Sequence, residues 1–84
     1  MNATQYKEAV DFDQNLKVGQ AGVVRWTNCG RYFSAPGIIT KLNQKSVKVK
    51  LSTAVGDYPL GQVITVPRIS NWNGWTVNNS FWKN

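Results

Sequence analysis

The sequence predicts a mainly β domain in which about five short strands close into a small barrel or sandwich, with one short helix at the amino terminus. Three observations carry this. Val47, Val49 and Leu51 alternate with Lys48 and Lys50, the two-residue period of a half-buried strand. Runs rich in β-branched and aromatic residues recur at short intervals, each closed by Gly, Pro or Asn. Only the first dozen or so residues show a helical period.

The elements follow in order. Tyr6, Ala9 and Val10 stand at i, i+3 and i+4 with Phe12 behind them, which predicts a helix over 3–12 capped by Asn2 or Thr4. A connection over 13–19 leads to a first strand over 21–27, where Val23, Val24 and Trp26 suit a sheet. Asn28-Cys29-Gly30 signals a turn, after which 32–35 is extended. Pro36-Gly37 is expected to bend the chain into a hairpin over 37–51 whose polar turn is Asn43 to Ser46. With Leu42 opposite Val47, the inward set is Ile38, Thr40, Leu42, Val47, Val49 and Leu51. Lys41 then faces Lys48, and Ile39 faces Lys50. A turn one residue shorter would exchange the two faces. A loop over 52–61 contains the turn points Gly56-Asp57 and Tyr58-Pro59, and 62–66 reads as a strand that Pro67 stops or leaves at an edge. A turn over 70–74 and a closing strand over 75–77, extending towards Phe81, complete the chain.

The opening run Val18-Gly19-Gln20-Ala21-Gly22-Val23-Val24-Arg25, the hairpin Gly37-Ile38-Ile39-Thr40-Lys41 with Ser46-Val47-Lys48-Val49-Lys50, and Val63-Ile64-Thr65-Val66 before Pro67-Arg68-Ile69 appear in this order. Over roughly residues 18–77 this pattern resembles the SH3-like small barrels, which include the Tudor, chromo and KOW-type modules. The resemblance implies a five-stranded barrel; the amino-terminal helix and the Trp/Asn-rich tail fall outside its pattern, and the chain divides into an acidic arm with a short helix over 1–16 and the barrel with its aromatic carboxy-terminal tail over 17–84. The resemblance also implies a binding role. One SH3-like family, the plasmid-borne dihydrofolate reductases, is catalytic; its Val-Gln-Ile-Tyr run is replaced here by Val63-Ile64-Thr65-Val66, so that activity does not carry over.

A chain of 84 residues makes one domain, and a domain this small buries only about 60–65% of its unfolded surface. Its four Trp, three Tyr and three Phe are therefore expected to supply much of the core. The net charge of +6 is unevenly placed: residues 1–13 carry a net −2, whereas residues 14–84 carry nine Lys or Arg against Asp57 alone, a net +8. A basic body favours nucleic acid, an anionic surface or an acidic protein. No apolar run is long enough to span a membrane and no secretory leader is read, so the expectation is a cytoplasmic protein without membrane partners. Cys29 is the single cysteine and forms no internal disulfide, which fits a reducing compartment.

Catalytic chemistry finds little to work with. Histidine, the commonest general base and metal ligand, is absent. One cysteine makes no thiolate cluster, and no base stands near it in sequence to activate it. The expectation is no enzyme, no cofactor and no metal. Basic residues interleaved with aromatics carry the stronger signal. Lys41, Lys45, Lys48 and Lys50, with Arg31 and Tyr32 after the first turn, are expected to form a nucleic-acid surface: cations on phosphate, the exposed ring on an unpaired base; Arg25 and Arg68 are candidate additions, on this face or on another. Phe33 faces the core if Tyr32 faces solvent, or the reverse. The bland alternative is that the lysines solvate the outer face and protect an edge. Trp26, Tyr32, Phe33 and Tyr58, with Asp57, offer a further reading as an aromatic cage for a methylated cation. Trp75 is expected to close the barrel. Phe81 and Trp82 are candidates for a protein partner or a second copy, as in a small phage or plasmid product that adapts a host protein. DNA or RNA is the first expected partner, a protein the second, and a dimer is compatible with both.

Overall fold

In a computed structural model that describes residues 3–68 and 79–83, the chain is mainly β. The element order is α1 (Ala3–Gln14), β1 (Ala21–Asn28), β2 (Arg31–Leu42), β3 (Ser46–Leu51), β4 (Val63–Pro67) and β5 (Ser80–Trp82). All five strands join one antiparallel sheet in the order β4-β3-β2-β1-β5. The sheet curls into a half-barrel, so that β4 approaches β1 and β5 across the interior. No helix among the described residues is long and apolar enough to cross a membrane.

The alternation read from sequence builds the core directly. Val24 and Trp26 of β1, Val47, Val49 and Leu51 of β3, and Ile64 and Val66 of β4 are buried on the concave face, joined by Ala35, Ile39 and Phe81. Gly22 and Gly37 face each other across β1 and β2 on the same side. A Cβ on Gly22 would lie 2.5 Å from both the Phe81 ring and the Trp82 carbonyl oxygen, and one on Gly37 would lie 2.5 Å from Val49 Cγ1. Bare backbone at these two positions is what lets β5 and the β3 side chains close over the inner face. The β1–β2 turn places Cys29 (φ 51°) and Gly30 (φ 78°) in left-handed conformations, the pattern of a type I′ hairpin.

Two expectations are corrected. Pro36-Gly37 does not bend the chain: β2 runs unbroken through both residues. Ile39 N–H donates to the Gln20 carbonyl at 3.0 Å and its carbonyl accepts from Gly19 N–H at 2.8 Å, both on the β1 side, whereas Ser52 N–H donates to the Pro36 carbonyl at 3.0 Å on the other, so alternate residues fix which way each amide points. The donor that proline lacks would face past Leu51, where β3 has ended; no ladder bond is lost there. Second, Leu42 pairs with Val47 and Lys41 with Lys48, but the register shifts between Ile39 and Lys41. Thr40 is the extra residue, and its hydroxyl donates to the Lys48 carbonyl at 3.3 Å. Thr40 and Lys41 are both exposed, which reverses the alternation before them. Ile39, not Ile38 or Thr40, enters the core opposite Val49, and Ile38 faces outward beside Lys50. Among the described residues the strand that returns to β1 is Ser80–Trp82; the expected turn over 70–74 and strand over 75–77 lie outside the described residues.

The amino-terminal segment is tied to the sheet. Phe12 packs 4.7 Å from the Trp82 ring and 6.1 Å from Phe81 (centroid to centroid). Asp13 is buried and meets Arg68, just beyond β4: Arg68 Nε donates to Oδ1 at 3.1 Å, and Nη2 donates to Oδ2 at 3.3 Å and to the Asp13 carbonyl at 2.8 Å. Residues 12 and 13 thus meet the edge strand β5 and the residue that follows the other edge strand, β4.

Candidate nucleic-acid interface

Cross-strand partners share a face, so the register sorts every candidate residue. On the convex outer face the rows read, from one end, Thr65–Lys48–Lys41; Val63–Lys50–Ile38–Ala21; Pro36–Val23–Trp82; Ser34–Arg25–Ser80; and Tyr32–Thr27. Lys41, Lys48 and Lys50 therefore form one cluster, with Lys45 in the exposed turn beside it. Lys41 and Lys48 are directly opposed. Two ammonium groups about 7 Å apart in water repel by roughly 0.6 kcal/mol. None of the four lysines meets a carboxylate among the described residues, where the one ion pair is Arg68–Asp13.

Arg31 and Tyr32 do not belong to this cluster. They lie at the opposite end of β2, four rows from Lys41. At about 3.3 Å per residue the separation is roughly 26 Å. Arg31 pairs with Asn28 in a row of the inner-face set, whereas Arg25 stands on the outer face between Tyr32 and the lysines and is exposed. Its membership was open in the sequence, because the strand period puts Arg25 opposite Val24 and Trp26 but does not say where the lysines lie relative to them. Arg68 is excluded: its guanidinium is spent on Asp13 and on the Asn43 carbonyl at 3.0 Å.

The aromatic candidates divide by face. Tyr32 points outward and is 72% exposed, the highest of the exposed large hydrophobics described. Phe33 turns inward to Trp26 and Tyr58, with ring centroids 5.1–5.5 Å apart in all three pairs. Asn28 Nδ2 donates to the Tyr58 hydroxyl at 2.8 Å and holds the 52–62 loop against this trio. Rings packed directly on one another leave no room for a methylated cation between them, and Tyr32 is on the other side of the sheet. The trio is a core, not a cage. The Trp26 indole N–H is buried there without an acceptor among the described residues, a cost of about 1–3 kcal/mol that the ring packing must outweigh.

Of the two tail residues, Phe81 is buried opposite Val24 and serves closure, which leaves no ring to offer a partner. Trp82 is half-buried, with Phe12 against it and Lys83 Nζ 5.6 Å from its ring centroid. Cys29 is exposed at the hairpin tip, its thiol 3.4 Å from Asn28 Oδ1, with no basic group bonded to it. No three His, Cys, Asp or Glu side chains come together as a metal site among the described residues.

Comparison with known proteins yields no match to a family model, to a curated protein or to a solved structure.

Proposed function

We propose that this chain is a small, non-catalytic nucleic-acid-binding module of the SH3-like barrel type, acting through the outer face of β2 and β3. The strand order supports the barrel assignment: four strands follow one another as a meander and the fifth returns beside β1. The observation that carries the function is the opposed Lys41–Lys48 pair, flanked by Lys50 and Lys45 and unbalanced by any acid among the described residues. A sheet that holds like charges face to face without a counter-charge lowers its energy when an external polyanion supplies one. Phosphates do so without sequence preference, since contacts to the backbone position a protein rather than read bases.

The test is fluorescence anisotropy with labelled DNA and RNA at several salt concentrations. Four neutralised phosphates give a slope of log affinity against log salt of about −3. Lys48→Glu with Lys50→Glu should abolish binding while the far-UV spectrum is unchanged. Retention of affinity in that double variant removes the proposed surface.

A further inference from the structure

Building on that reading, we infer that the polyanion is a single strand, laid along β2 from Lys41 and Lys48 over Arg25 to a base stacked on Tyr32. Three features of the outer face carry this. The cations form a narrow track: Lys48 and Lys50 lie on β3, Lys41 on β2 and Arg25 on β1, so none is more than one strand from β2. With strands about 4.8 Å apart the track is roughly 10 Å wide. It is also convex across the strands, because the sheet curls so far that β4 approaches β1 and β5. One flexible backbone lies along such a crest. Duplex DNA, whose two backbones flank a major groove about 12 Å wide, cannot rest both of them on a surface that falls away on either side.

The third feature is the end of the track. Four rows beyond Lys41 stands not another cation but the Tyr32 ring, exposed beside Arg31 and opposite Thr27. An aromatic ring with 72% of its residue surface in water gains nothing from the fold. It gains from an unpaired base, whose π-face every nucleotide offers and a duplex hides inside its stack. The outer face of the described strands also lacks a helix of the kind that enters a major groove. The track length sets the site size. Roughly 26 Å corresponds to about eight nucleotides at 3.4 Å per stacked residue, within the 4–16 range of small β-barrel domains that bind single strands.

Labelled thymidine oligomers of graded length and a mixed-sequence duplex, each titrated with the full chain at one low salt concentration, test the inference. The single strand should bind at least about ten-fold more tightly than the duplex, with affinity rising up to about eight nucleotides and then levelling off. Tyr32→Ala should weaken the single strand about ten-fold and leave the duplex unchanged, whereas Tyr32→Phe should retain the affinity. Arg25→Glu should weaken the longer oligomers more than the shortest. Equal or tighter duplex binding, or a Tyr32→Ala variant as tight as the parent, overturns the single-strand inference while the lysine surface stands, provided Lys48→Glu/Lys50→Glu still abolishes binding. If that double variant binds normally, the lysine surface and the single-strand path across it fall together.

Discussion

Truncating Ile39 and Ile38 in parallel tests the one point where the strand pairing departs from simple alternation. The two residues are neighbours of the same type, and only the bulge at Thr40 decides which is inside. Ile39 is 1% exposed and Ile38 is 43% exposed. Ile39→Ala removes three buried carbon groups, about 2.4 kcal/mol of transfer free energy, and leaves a cavity under β2 that raises the cost to roughly 3–4 kcal/mol. Ile38→Ala loses part of that transfer term and a few tenths in strand preference, about 1 kcal/mol together. A domain of 84 residues has about 4–12 kcal/mol of stability in total, so the first change removes a large share and the second a small one. Urea unfolding followed by tryptophan fluorescence measures both. With an m-value near 1–1.5 kcal/mol/M, Ile39→Ala should lower the midpoint by about 2–4 M and Ile38→Ala by about 1 M or less, at unchanged m. A midpoint lowered more by Ile38→Ala than by Ile39→Ala would refute the bulge and restore uninterrupted alternation through residue 40.

Three further outcomes follow from the same structure. Arg68→Ala leaves the Asp13 carboxylate buried without its fork and should cost about 3 kcal/mol, and a double-mutant cycle with Asp13→Ala should show a coupling of about 1–3 kcal/mol by chemical unfolding. Gly22→Ala drives a Cβ to 2.5 Å from the Trp82 carbonyl, which a side-chain rotation cannot relieve; thermal unfolding should show a loss of at least about 2 kcal/mol. Deleting Thr40 removes the one residue of β2 opposite β3 that has no partner there and keeps every other pairing, so the variant should remain folded by circular dichroism with a loss of under about 2 kcal/mol. Deleting Lys48 reverses one side of β3 and should unfold the chain.

Much of this molecule is legible from its residues one stretch at a time. The alternation from Val47 to Leu51 states which side of β3 is buried, because side-chain period and burial are both properties of a single strand. Asn43 to Ser46 set the turn, and the turn set the facing of Leu42 with Val47 and of Lys41 with Lys48. The lysine cluster was therefore readable without a structure. Alternation also required Tyr32 and Phe33 to take opposite faces, although it did not say which ring went where.

The rest depended on partners distant in sequence. Phe33 turns inward because Trp26 and Tyr58, brought from β1 and the 52–62 loop, make a place for its ring. Pro36 stays within a strand because β3 happens to end one residue short of it, a fact about the neighbour and not about proline. Thr40 bulges between the stretch of β2 paired with β1, which ends at Ile38, and the stretch whose register the 43–46 turn sets against β3, and no local signal marks that junction. Arg68 looked like one more surface cation until the fold delivered Asp13 to it. Local period and turn chemistry act within a few residues and are written in order along the chain; which cations remain free, and which ring faces water, are settled only when the sheet curls and each side chain meets what lies across it.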